Sequence, residues 1–225
     1  MVINFLTRLR TALIYGALLV SSFYLGPIYF SGLVVIGLSY ILICEFPKII
    51  KNNSLLWLLV PIYPVLPAIL IILLNQDLNY RNLLIYLFIF TSVFDTGAYL
   101  VGRRFGKRKL SPLSPQKTWE GVAGGVCFTL VAVLLSLWRS GYLSSLDLED
   151  YNWEDFGWLA GLTLVISVLC VIGDLFESWL KRQANLKDSS NLLPGHGGLL
   201  DRLDTVFFST YFFYIFRIQL VKLLS

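Results

Sequence analysis

The chain contains few charged or metal-binding side chains. Only 14% of its 225 residues are Asp, Glu, Lys or Arg, and there is a single histidine. The three cysteines, Cys44, Cys127 and Cys170, are odd in number, widely spaced and inside apolar runs, so we expect them to pack between helices. The GxxxxGK(S/T) spacing of a P-loop is absent as well. These absences argue against a disulfide-rich scaffold, a cysteine-based metal site and a P-loop nucleotide-binding protein.

Long apolar runs make up most of the chain. Its mean hydropathy is +0.71, and runs of about 20 apolar residues are long enough to cross a bilayer. They mostly lack the polar stripe of a soluble amphipathic helix, and backbone hydrogen bonding inside lipid requires helices. We therefore predict an all-α, polytopic membrane protein with about seven transmembrane helices. Their expected positions are residues 10–25, 27–44, 55–74, 81–100, 119–138, 156–180 and 205–222.

The lysines and arginines are distributed unevenly between the two sides of the membrane. If the N-terminus is cytoplasmic, all but four of the 18 lie on the cytoplasmic side, the exceptions being Arg81, Arg139, Arg217 and Lys222. The positive-inside rule then predicts a cytoplasmic N-terminus. Anionic lipid explains these cations without nucleic acid as a partner. Because no targeting extension is evident, we expect a multi-pass protein of a bacterial plasma membrane.

The polar residues are concentrated in the second half of the chain. We expect residues 1–90 to pack and anchor in the bilayer, and residues 91–225 to form the catalytic transmembrane region. Its cytoplasmic loops are predicted at 101–118 and 181–204. The charged segments there are FDTGAYLVGRRFGK (94–107), SPQKTWEG (114–121), GDLFESWLKR (173–182) and KDSSNLLPGHGGLLDRLD (187–204).

Asp95 is a carboxylate inside the fourth predicted span. An unpaired charge at the centre of a transmembrane helix costs about 2.5 to 3.5 kcal/mol on insertion scales. A partner on a neighbouring helix would compensate for this cost, and so would a bound metal or substrate. The sequence leaves both interpretations open.

The basic loop at 101–118 precedes a helix that is predicted to begin near Thr118. Thr118 is a suitable N-cap, and Glu120 falls in the first turn, where negative charge is favourable. Backbone amides at that terminus, with Lys117 beside them, would form a phosphate site. The alternative is that the loop only anchors the protein on anionic lipid.

Four polar residues of the sixth predicted span share one helix face. Asp174, Glu177, Ser178 and Lys181 are spaced i, i+3, i+4 and i+7, so a helix points all of them toward the cytoplasmic mouth. Two acids, a hydroxyl and an amine in one stripe indicate a functional site. An internal salt bridge among Glu177, Lys181 and Arg182 is the simpler interpretation for Glu177.

The segment PGHGG places the only histidine, His196, among glycines that allow close approach to a ligand. His196 is either a substrate contact or a structural residue. Asp201 and Asp204 follow at the start of the seventh predicted span, where carboxylates complement the helix dipole. Asp174 and Asp201 at one depth would repel each other unless a divalent cation lay between them, and hard oxygen ligands suit Mg²⁺.

The pattern SxxKRxxxxKDxSxxLPGHGGxxDRxD, at positions 178–204, resembles the signature of phosphatidate cytidylyltransferases, also called CDP-diacylglycerol synthases. The upstream motifs GDLFES, SPQKTWEG and DTGAYLVGRRFGK extend the resemblance across the second half. It implies that CTP and phosphatidic acid react at the cytoplasmic leaflet to give CDP-diacylglycerol and pyrophosphate.

The resemblance also implies roles for individual residues and for metal ions. Mg²⁺ is the implied cofactor, and a second, monovalent cation such as K⁺ is left open, as is a homodimer. The implied catalytic residues are Asp174, Asp201 and Lys181, and the implied metal ligands are Asp174, Asp201 and Asp204. The implied substrate-binding residues are Asp95, Lys117, Ser178, Arg182, Lys187, Asp188, His196 and Arg202.

Two other classes of function compete with this interpretation. A CTP-dependent lipid kinase, or a cytidylyltransferase of an isoprenoid lipid, would also need a nucleotide site beside the membrane. An ion-coupled carrier would use Asp95 and Asp174 as a relay. The carrier is disfavoured because the polar groups crowd one membrane face and no repeated halves are detectable.

Overall fold

The computed structural model describes residues 2–51, 54–140, 153–194 and 197–224. These residues are mainly helical. The helices are α1 (Val2–Leu25), α2 (Pro27–Tyr40), α3 (Phe46–Ile50), α4 (Leu66–Gln76), α5 (Leu83–Phe105), α6 (Trp119–Arg139), α7 (Trp153–Gln183), α8 (Leu200–Ile215) and α9 (Arg217–Leu224). A π-helical turn, Ile41–Glu45, joins α2 to α3. A 3₁₀ segment, Ser54–Leu59, and a second π-helical turn, Pro61–Val65, precede α4.

The apolar helices confirm the predicted class, an all-α polytopic membrane protein. By length and composition, five helical segments of the described residues could cross a bilayer, or six if α8 and α9, which meet at 90°, form one broken span. The count of seven is therefore not reached. The described apolar part of α1, Arg10–Leu25, is shorter than a full span, and the last predicted span is bent. The five segments are Pro27–Ile50, Leu55–Gln76, Leu83–Phe105, Trp119–Arg139 and Gly157–Gln183.

A short β-hairpin, which the sequence did not predict, lies between α5 and α6. Strand β1 (Lys109–Ser111) pairs antiparallel with β2 (Ser114–Thr118). The loop expected from residue 101 begins only after Phe105, because α5 continues to that residue. Asp95 therefore lies further from the end of its helix than the predicted span implied.

The start of α6 agrees with the prediction. The Thr118 side chain caps the helix by accepting a hydrogen bond from the Gly121 amide at 3.1 Å. Glu120 lies in the first turn and accepts hydrogen bonds from the amides of Lys107, at 3.1 Å, and Arg108, at 3.2 Å. These contacts fix the chain between α5 and the hairpin.

Helices α5 and α6 approach each other closely at glycines. A Cβ atom added at Gly124 would collide with the side chain of Val101 and lie 3.0 Å from the Gly97 carbonyl oxygen. Small residues let helix backbones pack tightly in a membrane. The approach holds Asp95, on α5, beside the hairpin that precedes α6.

Aromatic packing connects the first half of the chain to α7 and α8. The buried Tyr63 ring packs edge-on against Phe176, with 5.0 Å between ring centroids, and against Phe207, with 5.6 Å.

The three cysteines carry free thiols. The division of the chain at residue 90 stays a prediction.

We expect Gly124→Ala to destabilise the protein by about 1 to 3 kcal/mol, because the added methyl group overpacks the α5–α6 contact. The measurement is the thermal midpoint in detergent. Gly161→Ala is the matched control, since an added Cβ there meets no atom within 4 Å. Equal midpoints for the two variants would contradict close packing at Gly124.

Candidate active site

The predicted site residues come together around one cavity of about 810 Å³. Helix α5, the β2–α6 junction, α7, the loop after α7 and the start of α8 all contribute to its wall. His196 lies outside the described residues. The predicted residues that line the cavity are Asp95, Lys117, Asp174, Ser178, Lys181, Arg182, Lys187, Asp188, Asp201, Arg202 and Asp204.

Lys181 lies between two carboxylates in the wall of this cavity. Its Nζ atom is 2.5 Å from Oε2 of Glu177 and 2.7 Å from Oδ1 of Asp201. The first contact confirms the predicted pair within α7, and the second joins α7 to α8. Arg182, which the sequence placed in the same network, donates instead to the Leu186 carbonyl oxygen at 3.1 Å. Two ion pairs therefore hold Lys181 in the wall of the cavity.

Asp201 organises the loop that precedes α8. Its Oδ2 atom accepts hydrogen bonds from the amide of Ser189 at 3.0 Å, from the Ser189 hydroxyl at 3.1 Å and from the amide of Gly198 at 2.7 Å. Gly197, between them, has a φ of +84°, a backbone conformation that favours glycine. Both carboxylate oxygens of Asp201 are thus engaged by the chain, and its predicted role as a metal ligand stays a prediction.

Two further carboxylates, Asp95 and Asp204, line the cavity near each other. Thr205 connects them: its hydroxyl donates to Oδ2 of Asp95 at 3.4 Å, and its amide donates to Oδ1 of Asp204 at 2.8 Å. Asp204 is only 6% exposed. Asp95 therefore contacts α8 through a neutral hydroxyl.

Lys117 reaches the cavity from the end of β2 and forms an ion pair with Asp174. Burial lowers the pKa of the Lys117 amine, whereas the nearby carboxylates of Asp204 and Asp95 raise it. A phosphate group entering the cavity would favour the charged form of this amine. The predicted role of Lys117 in binding phosphate stays a prediction.

Carboxylate oxygens, the type of ligand that a hard divalent cation prefers, line the cavity. Within the described ranges, no group of three His, Cys, Asp or Glu side chains is arranged to hold a metal by itself. Mg²⁺, however, is usually held by one or two carboxylates together with substrate phosphates. Asp174 faces the cavity, and Oε1 of Glu177 is buried without a hydrogen-bond partner in the described part of the chain. A cation held at Asp174 would need phosphate oxygens to complete its ligands.

Sequence reasoning missed Glu45. The structure places it behind the loop that connects α7 to α8, which carries part of the signature and is called the signature loop below. Its carboxylate is fully buried and accepts hydrogen bonds from the amides of Leu199 and Leu200, both at 2.8 Å, and from the Ser190 hydroxyl at 2.7 Å. A signal was available, because Glu45 is the only acidic residue before Asp77 and lies in an apolar span. An ionisable residue at such a position indicates a functional role by default.

Comparison with known proteins bears directly on this cavity. A family model described as the cytidylyltransferase family matches residues 52–220. A phosphatidate cytidylyltransferase of Haemophilus influenzae is 40% identical over 195 residues, which cover 80% of this chain and 66% of the relative. One from Rickettsia conorii is 37% identical and covers 71% of this chain and 67% of the relative. One from Rickettsia typhi is 33% identical over 217 residues, covering 92% and 91%.

The extent of these matches is sufficient to define the family. The chain spans slightly less than two thirds of the Haemophilus protein but nearly all of the Rickettsia typhi protein. The matched segment contains every predicted site residue, from Asp95 to Asp204. The chain belongs to the cytidylyltransferase family.

Proposed function

We propose that this protein is a phosphatidate cytidylyltransferase, which joins CTP and phosphatidic acid into CDP-diacylglycerol with release of pyrophosphate. One observation carries the proposal: the predicted site residues within the described part of the chain line a single cavity at one end of the membrane-spanning helices. The names of the relatives from Haemophilus and Rickettsia support the same activity.

The cavity has the size and charge for two phosphate-bearing substrates. Ligand pockets commonly measure about 300 to 1,000 Å³, and this one falls in the upper part of that range. Its six acidic side chains are balanced by six cations, which a triphosphate would contact. The cations that line the cavity are Arg103, Lys117, Lys181, Arg182, Lys187 and Arg202.

The acyl chains of the lipid substrate can remain in the bilayer during the reaction. Part of the cavity wall is apolar and comes from membrane-spanning helices, with Phe94 and Ala98 on α5, Val122 on α6 and Val171 on α7. The phosphate head group of phosphatidic acid would therefore reach the polar wall from the side of the lipid. This arrangement suits a reaction between a soluble nucleotide and a membrane lipid.

In the proposed reaction, an oxygen of the lipid phosphate attacks the α-phosphorus of CTP in line. The bond from the α-phosphorus to its bridging oxygen breaks, and pyrophosphate leaves with that oxygen and the bonding electrons. The protein's main contribution is to align two polyanions and neutralise their charge. Lys181, oriented by Glu177 and Asp201, and Lys117 are placed to bind phosphate oxygens, and no covalent enzyme intermediate is needed.

Mg²⁺ belongs to this proposal as the cofactor. When bound, it would neutralise phosphate charge as a Lewis acid. Asp174 and Asp204 are the carboxylates that would hold it, together with substrate phosphates, while Asp201 orients the loop and Lys181. Three further points stay predictions. They are a monovalent cation such as K⁺, a homodimer, and an active site that faces the cytoplasm from a bacterial plasma membrane.

We expect Asp174→Asn to abolish the activity, because it removes the negative charge that pairs with Lys117 and that would bind Mg²⁺. The measurement is transfer of label from α-phosphate-labelled CTP into chloroform-soluble lipid, with phosphatidic acid and Mg²⁺. Asp77→Asn is the control, since Asp77 lies in the turn after α4, away from the cavity, and its Oδ1 atom accepts from the Asn79 amide. A lipid kinase would leave CDP and no label in lipid, and substantial transfer by Asp174→Asn would rule out the assigned role.

We also expect Lys181→Ala to reduce activity far more than Arg103→Ala. Loss of Lys181 leaves the carboxylates of Glu177 and Asp201 without their shared cation, which is strongly destabilising for buried pairs. Arg103 is exposed, and its side chain donates to the Tyr99 hydroxyl at 2.9 Å. The same lipid-labelling assay, with thermal midpoints measured in parallel, compares the two variants. Equal losses would mean that the last turn of α5, which carries Arg103, contributes as much as the signature.

A further inference from the structure

Helix α8 begins without a cap from its own sequence. Its N-cap residue, Leu199, provides no side-chain hydrogen bond to the first turn. The first amides of any helix lack partners within the helix, and a negative charge near them is favourable. Glu45 supplies both the acceptors and the charge, although it lies 154 residues from Leu199 in sequence. The cap of α8 therefore comes from the first half of the chain.

The two oxygens of Glu45 have different partners. Oε1 accepts from the Ser190 hydroxyl and the Leu199 amide, whereas Oε2 accepts from the Leu200 amide. A glutamine would retain one oxygen but would turn an NH₂ group toward at least one of these donors. The arrangement thus requires a carboxylate and not merely a side chain of the same shape.

Glu45 and Asp201 hold the signature loop from opposite sides. The amide of Gly198 donates to Asp201 at 2.7 Å, and a Cβ at Gly198 would collide with Oε1 of Glu45 and the hydroxyl of Ser189. Asp201 in turn bonds to Lys181. A chain of direct contacts thus leads from Glu45 through the start of α8 to the cation at the cavity.

From these contacts we infer that Glu45 is a positioning residue for substrate binding. It holds Ser190 and the first turn of α8 so that Lys187, Asp201 and Arg202 face the cavity in register. Glu45 lies in front of the segment that the family model matches, which begins at residue 52. The expected change in KM rests on the proposed function, whereas the expected change in hydrogen exchange does not.

The test compares Glu45→Gln and Ser190→Ala with the wild-type protein in detergent. Hydrogen exchange is measured by mass spectrometry on peptides that contain Leu199 and Leu200, and KM for CTP and kcat are measured by lipid labelling. For Glu45→Gln we expect faster exchange at these amides and a rise in KM of about tenfold, as for loss of a charge-assisted hydrogen bond. Ser190→Ala removes one of the three donors to Glu45, together with the acceptor of the Leu192 amide at 3.3 Å, and leaves the carboxylate in place, so we expect smaller changes in the same direction.

Ile49→Val is the control for a purely structural effect. Ile49 is fully buried on α3, close to Glu45 in sequence, so the substitution lowers stability slightly without altering the cap. We expect it to lower Tm while leaving exchange at the α8 start and KM unchanged. A Glu45→Gln variant that behaves in this same way would overturn the inference.

The outcomes separate this inference from the proposed function. If the wild-type protein transfers no label, the proposed function fails, and exchange alone still tests Glu45. Unchanged exchange at Leu199 and Leu200 in Glu45→Gln overturns the inference whatever the activity. If Glu45→Gln does not fold, the test rests on Ser190→Ala. Hydrogen exchange and KM equal to the wild-type values in Ser190→Ala would then overturn the inference.

Discussion

The ion pairs of Lys181 with Glu177 and Asp201 are the interaction on which the site depends. Glu177 is only 2% exposed, so its charge cannot be stabilised by water alone. The shared amine compensates both carboxylates and thereby sets the distance between α7 and α8. The position of the signature loop follows, because Asp201 also binds both sides of that loop.

Ion pairing of the same kind recurs elsewhere in the cavity wall. Lys117 is paired with Asp174, as Lys181 is with Asp201, so the site is largely neutralised before any ligand enters. An entering phosphate group would then replace a carboxylate beside a lysine that is already held in position. No mobile side chain would have to be recruited. Preorganised charges of this kind lower the cost of reorganisation during phosphoryl-type transfer.

The apolar first half of the chain contributes to this arrangement as well as to membrane anchoring. Glu45 caps α8 from behind, and Tyr63 packs against Phe176 on α7 and Phe207 on α8. On the other side of the cavity, the close glycine contact between α5 and α6 keeps Asp95 near the hairpin that carries Lys117. The site is therefore supported from several directions by residues that do not line the cavity.

The local features were determined by the sequence alone. Apolar run length predicted most of the membrane-spanning helices, the spacing of Asp174 and Lys181 predicted a shared face, and Thr118 predicted the start of α6, because each depends on neighbours within a few residues. The contacts of Lys181 with Asp201, 20 residues away, and of Glu45 with Leu199, 154 residues away, were decided by the tertiary structure. Local patterns carry no information about which distant helix will supply the partner of a buried charge, since that depends on how all the helices pack.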